Sequence, residues 1–465
     1  MNYTPFTGST AIMSTKFSFK SLFCRLLTCL GLLSSITGFG QTNSVSPLSI
    51  NGIGETYFGI TPNFLAMGGS GLANIDPFSI NVFNPAGYTN LEFATLEMSG
   101  AQRSFRHRVE DQDIDQQNFN TYFDYFGFGF RFNEYFAGSF SMTPFAAKGY
   151  NISVNDTSDD FGFYQYRSVG SGGYDKFTFG LACEPVSWFS IGANAKYFFG
   201  EIEESNSTII ANPAFLSVAN TVRTGVSDFA FDLGTQFKFE VENYGINVGA
   251  IYALGSDLNA RQISSQYTFT NGGIVQSPVD TLIYDLSTEG TMVLPSSYGI
   301  GIGFNKSIAN SSMNAWDLLL DYKVTNWQEF RAFIPENGPM QEGSMLSSTR
   351  ISFGGAIVPA LCFKNGGRSR NYLTMIRYRF GGFQEVGQFR WDEDGYTSRE
   401  LSFGLSLPVI YRSLAPGEQK ASFLNISIGN GQRWDGNSTS LRENYWNFNL
   451  GMTLNDKWFQ KFKYR

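Results

Sequence analysis

The residues that could do catalytic chemistry are few in this chain. His107 is the sole histidine among 465 residues, so mechanisms that need two imidazoles or a pair of histidine metal ligands are excluded. A serine hydrolase would need a nucleophilic serine beside its histidine, and no nucleophile elbow accompanies His107. The glycine-rich stretch 170–173 lacks the lysine and the helix that follow in a phosphate-binding loop. We therefore predict that the protein is not an enzyme and holds no cofactor.

Two acidic stretches, 110–115 and 392–395, could supply oxygen ligands to a cation. Neither has the spacing of ligands, glycine and terminal glutamate that an EF-hand requires. The second contains the pair Asp394 and Gly395, which is typical of a hairpin tip. We interpret both stretches as solvated loops and predict no metal site.

Three arginines could bind a ligand without taking part in a reaction. Arg131, Arg377 and Arg379 lie on the polar face of predicted strands. Their guanidinium groups could bind the anionic head group of a ligand, or they could pair with carboxylates nearby. The sequence leaves both interpretations open.

Composition limits the elements that can position these residues. Aromatic residues make up 16% of the chain and charged residues only 16%, whereas a soluble domain carries about 25% charged residues. This argues against a charged coiled coil and against disorder, which is poor in aromatics. The net charge of −7 gives no support for a nucleic-acid partner. The length fits either several domains or one large β-structure.

The N-terminus has the layout of a secretory signal. Lys16, Lys20 and Arg25 precede an apolar run over 26–36 and a stretch of small residues. We predict cleavage after Gly40, which places the protein beyond the inner membrane. The apolar run is shorter than the roughly 20 residues of a membrane-spanning helix. Of the four cysteines, Cys183 and Cys362 remain after cleavage, too few for a disulfide framework.

From about residue 91 the pattern has period two. In 228–240, 298–304, 400–407 and 446–454, large apolar residues alternate with small or polar ones. A soluble β-sandwich would have a charged outer face, but here the apolar face is aromatic and nearly free of charge. A lipid-facing lysine or arginine costs about 2–4 kcal/mol at the bilayer midplane, and strands in a bilayer must close into a barrel. The pattern therefore predicts an all-β transmembrane barrel.

Turn spacing predicts fourteen antiparallel strands and a chain of four parts. Seven longer polar connections, among them 206–224 and 270–288, alternate with shorter turns, and seven hairpins give fourteen strands. We predict a signal peptide over 1–40, an N-terminal hatch inside the barrel over 41–90, the barrel over 91–456, and a basic, aromatic tail over 457–465. A general porin would have no such plug.

The predicted hatch carries motifs of a known family. The stretch 64–73, with Gly68 and Gly69, is followed by Asp76 and by Asn84, Pro85 and Ala86. This arrangement resembles the start of the FadL/TodX family of outer-membrane transporters for long-chain fatty acids and other hydrophobic compounds. The resemblance implies a cell outer-membrane protein in contact with lipid and a hydrophobic ligand, and we expect a monomer. It also implies a gating hatch that contains Gly68, Gly69, Asn84, Pro85 and Ala86. FadL-like barrels also serve as shuttles or scaffolds for exported proteins, and that alternative stays open.

One proline falls inside a predicted strand. Pro144 cannot donate a ladder hydrogen bond, and prolines in sheets are confined to edges and bulges. Members of the FadL/TodX family are similar in having a kink in their third strand, so the resemblance implies a lateral opening in the wall near Pro144. An ordinary bulge is the alternative.

Overall fold

The computed structural model describes residues 44–57, 61–112, 114–270, 278–308, 311, 313–336, 345–363, 371–391, 394–415, 418–437 and 439–457. The predicted signal peptide, and the predicted tail beyond Lys457, lie outside the described residues. Within these ranges, none of the helices has the length and apolar character needed to cross a membrane.

Strands dominate the described ranges. A short strand comes first, β1 (Glu55–Thr56). The strands of the wall are β2 (Ala94–Val109), β3 (Ile114–Arg131), β4 (Phe136–Ala147), β5 (Tyr150–Ser158), β6 (Gly162–Val186), β7 (Phe189–Ile210), β8 (Ser217–Val241), β9 (Tyr244–Ala253), β10 (Ser256–Phe269), β11 (Pro278–Leu294), β12 (Ser297–Lys306), β13 (Trp316–Thr325), β14 (Arg331–Pro335), β15 (Ser348–Ile357), β16 (Arg377–Trp391), β17 (Asp394–Ala415), β18 (Glu418–Trp434) and β19 (Arg442–Asp456). The short helices are α1 (Pro62–Leu65) and α2 (Pro359–Phe363), with 3₁₀ turns at Pro47–Ile50, Pro85–Asn90, Glu110–Gln112, Trp327–Glu329 and Tyr372–Thr374.

These strands form a closed antiparallel barrel. Four of the barrel strands are interrupted and consist of two segments each, namely β4 with β5, β9 with β10, β11 with β12, and β13 with β14. When each such pair is counted as one barrel strand, here called a stave, the described ranges contain fourteen staves. The last strand pairs with the first strand of the wall, from Asp456 opposite Ala94 to Arg442 opposite Arg108. The prediction of a fourteen-stranded antiparallel barrel is confirmed.

The side chains of the wall are sorted as in a membrane barrel. On β8, Phe229, Phe231 and Leu233 point outward and are half exposed, whereas Asp232 and Gln236 are buried inside. This sorting is the reverse of a soluble fold, because large apolar side chains are exposed while polar ones are buried. An outward apolar band with a polar interior is what a lipid environment requires.

Several strands are much longer than a bilayer requires. β6 and β8 each have 25 residues, whereas a bilayer needs about 9–11. The predicted long connection 206–224 is wrong for most of its length, because β7 continues to Ile210 and β8 begins at Ser217. Strands beyond the bilayer meet water outside, so they need no apolar alternation, and their polar residues resemble a loop in sequence.

Residues 44–57 and 61–93, here called the N-terminal segment, contact inward-facing positions of the wall. Glycines on the strands leave space for its backbone. A Cβ built on Gly381 of β16 would lie 2.2 Å from the carbonyl carbon of Met67, and one on Gly249 of β9 would lie 1.9 Å from the carbonyl oxygen of Leu72. Side chains at these positions would displace the segment.

Candidate functional site

The glycines of the predicted hatch lie where larger residues could not. Gly68 has φ of +65°, and a Cβ there would lie 2.4 Å from the carbonyl oxygen of Gly382. Its N–H donates to Oγ of Ser402 at 3.1 Å, and its carbonyl accepts from Nη2 of Arg350 at 3.0 Å. Gly69 also has positive φ, at +75°. The residue types at 68 and 69 thus follow from backbone geometry and close approach to the wall.

Asn84 links two parts of the N-terminal segment to the barrel. Its Oδ1 accepts from the N–H of Ala86 at 3.1 Å and caps the turn that begins at Pro85. Its Nδ2 donates to the carbonyl oxygens of Leu72 and Thr235, both at 2.9 Å. The Asn-Pro-Ala sequence therefore serves as a cap and a tether, which is a structural role.

Asp321 of β13 holds the glycine-rich turn from the wall. Its Oδ2 accepts from the N–H groups of Gly71 at 2.7 Å and Leu72 at 3.0 Å. Hydrogen bonds to a carboxylate are stronger than those between neutral groups. The sequence alone did not single out Asp321, because its role depends on which strand faces the turn.

Two of the three predicted head-group arginines make ion pairs in the barrel interior. Arg377 contacts Asp76 at 2.7 Å and Asp317 at 2.6 Å. Arg379 hydrogen-bonds Ser406 and lies 3.7 Å from Asp76. Both guanidinium groups therefore help to hold the N-terminal segment through Asp76.

The third arginine lies near a short turn. Arg131 pairs with Glu184 at 2.8 Å and donates to the carbonyl oxygen of Thr89, also at 2.8 Å. The contacts of all three arginines are those of the ion-pair interpretation. Head-group binding by Arg131, Arg377 or Arg379 stays a prediction.

The wall loosens at Pro144. The pairing of β3 with β4 ends at Phe126 opposite Met142, two residues before Pro144, and the register of β4 on β6 shifts between Pro144 and Ala146. Beyond this point the described residues of β3 pair with β2 alone, and those of β5 with β6 alone. We call this break in the ladder the seam.

The N-terminal segment occupies the base of the seam. β1 pairs with the free edge of β4, with Glu55 opposite Ala147 and Thr56 opposite Ala146. The N–H of Tyr57 extends the pairing by donating to the carbonyl oxygen of Phe145 at 2.8 Å. The ring of Tyr57 lies edge-on to Tyr122 of β3, with 5.0 Å between centroids.

A buried carboxylate anchors β1. Glu55 is 1% exposed and pairs with Arg103 of β2 at 2.9 Å and with Arg433 of β18 at 2.6 Å. Its other oxygen accepts from Oγ of Ser44 at 3.2 Å. The segment is thus tied to strands on the far side of the seam.

A cavity of about 210 Å³ lies beside β1 inside the barrel. Aromatic side chains of the segment and the wall line it, namely Tyr57, Phe83, Phe145, Phe198 and Trp327. Three neighbouring staves are interrupted at its border, next to Leu254, Pro295 and Trp327. Breaks of this kind redirect side chains and are frequent beside binding sites.

The charges of this cavity do not balance. Six charged residues line it, namely Lys176, Lys196, Lys323, Arg350, Asp232 and Glu385. Asp232 is the partner of Lys196, and Glu385 lies 3.1 Å from Arg350. In the described part of the chain, Lys176 and Lys323 form no ion pair, and Lys176 lies 5.4 Å from the ring centroid of Phe145.

Sequence reasoning missed these lysines, although a signal was present. Each has the inward parity of its strand, which it shares with the buried Thr178 on β6 and the buried Asp321 on β13. A cation at such a position is costly unless it serves a partner or a ligand. Parity applied to lysine as well as arginine would have found them.

The architecture defined by these observations is shared by solved hydrophobic-compound channels. The monoaromatic hydrocarbon channel CymD is similar with a TM-score of 0.51 and 14% identity, over 86% of this chain and 98% of that one. A FadL homologue from Pseudomonas aeruginosa gives 0.51 and 11%, over 87% and 99%. The toluene transporter TodX from P. putida gives 0.51 and 13%, over 85% and 98%. At these identities the likeness shows the fold.

A comparison with sequence models of protein families shows the family to which this chain belongs. The model of the BamG family matches residues 22–465, so the chain belongs to the BamG family. The resemblance to the FadL/TodX family is confirmed as a likeness of fold, and the family assignment is corrected to BamG. A stretch of about 40 residues was enough to indicate the architecture but too short to separate two families that share it. Comparison with curated protein sequences gives no match.

Proposed function

We propose that this protein is an outer-membrane passive transporter of hydrophobic small molecules. The observation that carries the proposal is the aromatic cavity beside the seam, with the N-terminal segment forming part of its wall. Burial of each CH₂ group contributes about 0.8 kcal/mol, so a lined cavity is a better path for an apolar molecule than a water-filled pore.

The proposed route passes the N-terminal segment, which acts as the hatch. A ligand enters from the loop end, occupies the cavity, and meets Thr56 and Tyr57 at its edge. Displacement of β1 would expose the seam beside Pro144, which provides a lateral exit into the membrane. The pairing of β1 with β4 spans only two residues, so its displacement breaks few ladder hydrogen bonds, and the main cost is the loss of the Glu55 ion pairs.

A reversible lock of the seam tests the route. Thr56 and Ala146 are register partners, and directly opposed Cα atoms lie close enough for a disulfide. In a background with Cys183→Ser and Cys362→Ser, the double variant Thr56→Cys with Ala146→Cys would be reconstituted in vesicles. We expect uptake of a fluorescent hydrophobic probe to fall on oxidation and to recover on reduction.

A matched disulfide elsewhere controls for oxidation itself. Ser205 and Thr221 are register partners on β7 and β8, two strands that do not border the seam, and their hydroxyl oxygens lie 3.1 Å apart. The pair Ser205→Cys with Thr221→Cys should leave uptake unchanged in both redox states. Equal uptake by the locked and unlocked seam would refute the lateral route. No uptake by the parent protein would refute transport and favour a scaffold function, to be tested by a pull-down from the native membrane.

A further inference from the structure

The cavity beside β1 carries two lysines that form no ion pair with any of the described residues. Lys176 and Lys323 are half-buried and line the same space. Lys196 repels both of them, whereas Asp232 attracts both and Glu385 attracts Lys323 from beyond ion-pair distance. The two carboxylates that line the cavity already form ion pairs, Asp232 with Lys196 and Glu385 with Arg350. An anion that enters the cavity would therefore meet two lysine side chains that no described carboxylate contacts directly.

The side chains around these two lysines indicate the chemistry of the part of the ligand that is not the anion. Phe145, Phe198 and Trp327 form an apolar wall next to them, where an alkyl or aryl group loses its contact with water. Partly buried like charges destabilise the empty protein, and an anion offsets that cost. The site thus combines a polar end for an anion with an apolar end for a tail.

The number of free cations indicates the charge of the head group. A carboxylate or a phosphodiester carries one negative charge and would leave one ammonium unmatched. A phosphate monoester carries about −1.5 to −2 at neutral pH and offers three acceptor oxygens. We propose that Lys176 and Lys323 make this cavity a binding site for an amphiphile with a doubly charged phosphate monoester head group.

The inference deepens the proposed function, on which it rests for the entry of amphiphiles into the cavity. Binding is measured by calorimetry on the full-length protein in zwitterionic nanodiscs, with empty nanodiscs as the blank. The probes are octyl phosphate, octyl methyl phosphate and octanol, which share one chain and carry two, one and no charges. We expect octyl phosphate to bind at least about tenfold more tightly than the diester, the factor that 1.4 kcal/mol gives.

Substitutions assign the preference to the two lysines. Lys176→Met and Lys323→Met keep the length of the side chain and remove the charge, and each should reduce the preference for octyl phosphate. The double variant should bind phosphate and diester equally. Lys306→Met is the control, because Lys306 lies over Tyr244 outside the cavity, and it should keep the preference. Circular dichroism of each variant checks that the barrel is folded.

The possible outcomes separate this inference from the proposed function. Equal binding of phosphate and diester by the parent, or a preference retained in the double variant, overturns the inference and leaves hydrophobic transport standing. Failure of all three probes to bind overturns both. Selective phosphate binding without uptake in vesicles supports the inference and counts against transport.

Discussion

Glu55 is the point at which the attachment of β1 can be tested most directly. The substitution Glu55→Gln keeps the shape of the side chain and removes its charge, which leaves Arg103 and Arg433 without their shared carboxylate oxygen at 2.9 and 2.6 Å. Breaking a buried ion pair on one side costs about 3–5 kcal/mol. Glu55 lies on β1, outside the closed ring of wall strands, so the loss should fall on the docking of the segment.

Hydrogen exchange measured by mass spectrometry reports this local effect. At 1.4 kcal/mol per tenfold, amides of 44–57 should exchange about a hundredfold to a few thousandfold faster in Glu55→Gln. Peptides from β7 and β8 should keep their protection. Glu203→Gln is the matched control, because Glu203 pairs with Arg223 at 2.8 Å but both side chains are more than 40% exposed, and such pairs contribute about 0.2–1 kcal/mol. Unchanged exchange over 44–57 would show that the Glu55 ion pairs do not hold the segment.

Three further substitutions probe the segment and the wall. Gly68→Ala should loosen the segment, because Gly68 has a φ of +65° and its added Cβ would lie 2.4 Å from a carbonyl oxygen of the wall. Gly162→Ala is the control, because Gly162 also has positive φ but faces open space. Hydrogen exchange over 61–74 should therefore rise in Gly68→Ala alone. Asp321→Asn weakens two charge-assisted hydrogen bonds of about 1.5–3 kcal/mol each, and the same peptides should exchange faster while the thermal transition of the barrel stays within a few degrees. Pro144→Val should reduce uptake of a hydrophobic probe while the folded barrel keeps its resistance to heat and detergent; uptake at the parent level would argue against an opening there.

The barrel could be predicted because one physical constraint repeats along the chain. Lipid excludes charge from the outward face of every membrane-spanning strand, so the pattern in 228–240 recurs in 298–304 and 446–454, and the turns between such segments give the strand count. Where strands leave the lipid, the constraint ends. The polar ends of β7 and β8 therefore carry no alternation, and the sequence reads them as loop.

The candidate site could be predicted only in part. Pro144 marks a place where the ladder is disturbed, because a missing N–H is visible in sequence. The occupant of the resulting seam is not visible, since β1 has two residues and no pattern of its own. The ion pairs of Arg377, and the lack of one for Lys323 among the described residues, are equally hidden. Whether an inward cation has a carboxylate beside it depends on register between strands, and the alternation of a single strand does not contain that information.

The position of β1 joins three properties that would otherwise be independent. Thr56 and Tyr57 pair with the edge of β4, fill the base of the seam, and line the cavity. A displacement of these residues would open the wall and enlarge the cavity in one step. By linkage, a ligand that binds through Tyr57 while β1 is paired with β4 must stabilise that pairing. A ligand that occupies the position of Tyr57 must instead favour the displacement of β1. Exchange over 44–57, measured with and without a bound amphiphile, therefore distinguishes a ligand that closes the seam from one that opens it.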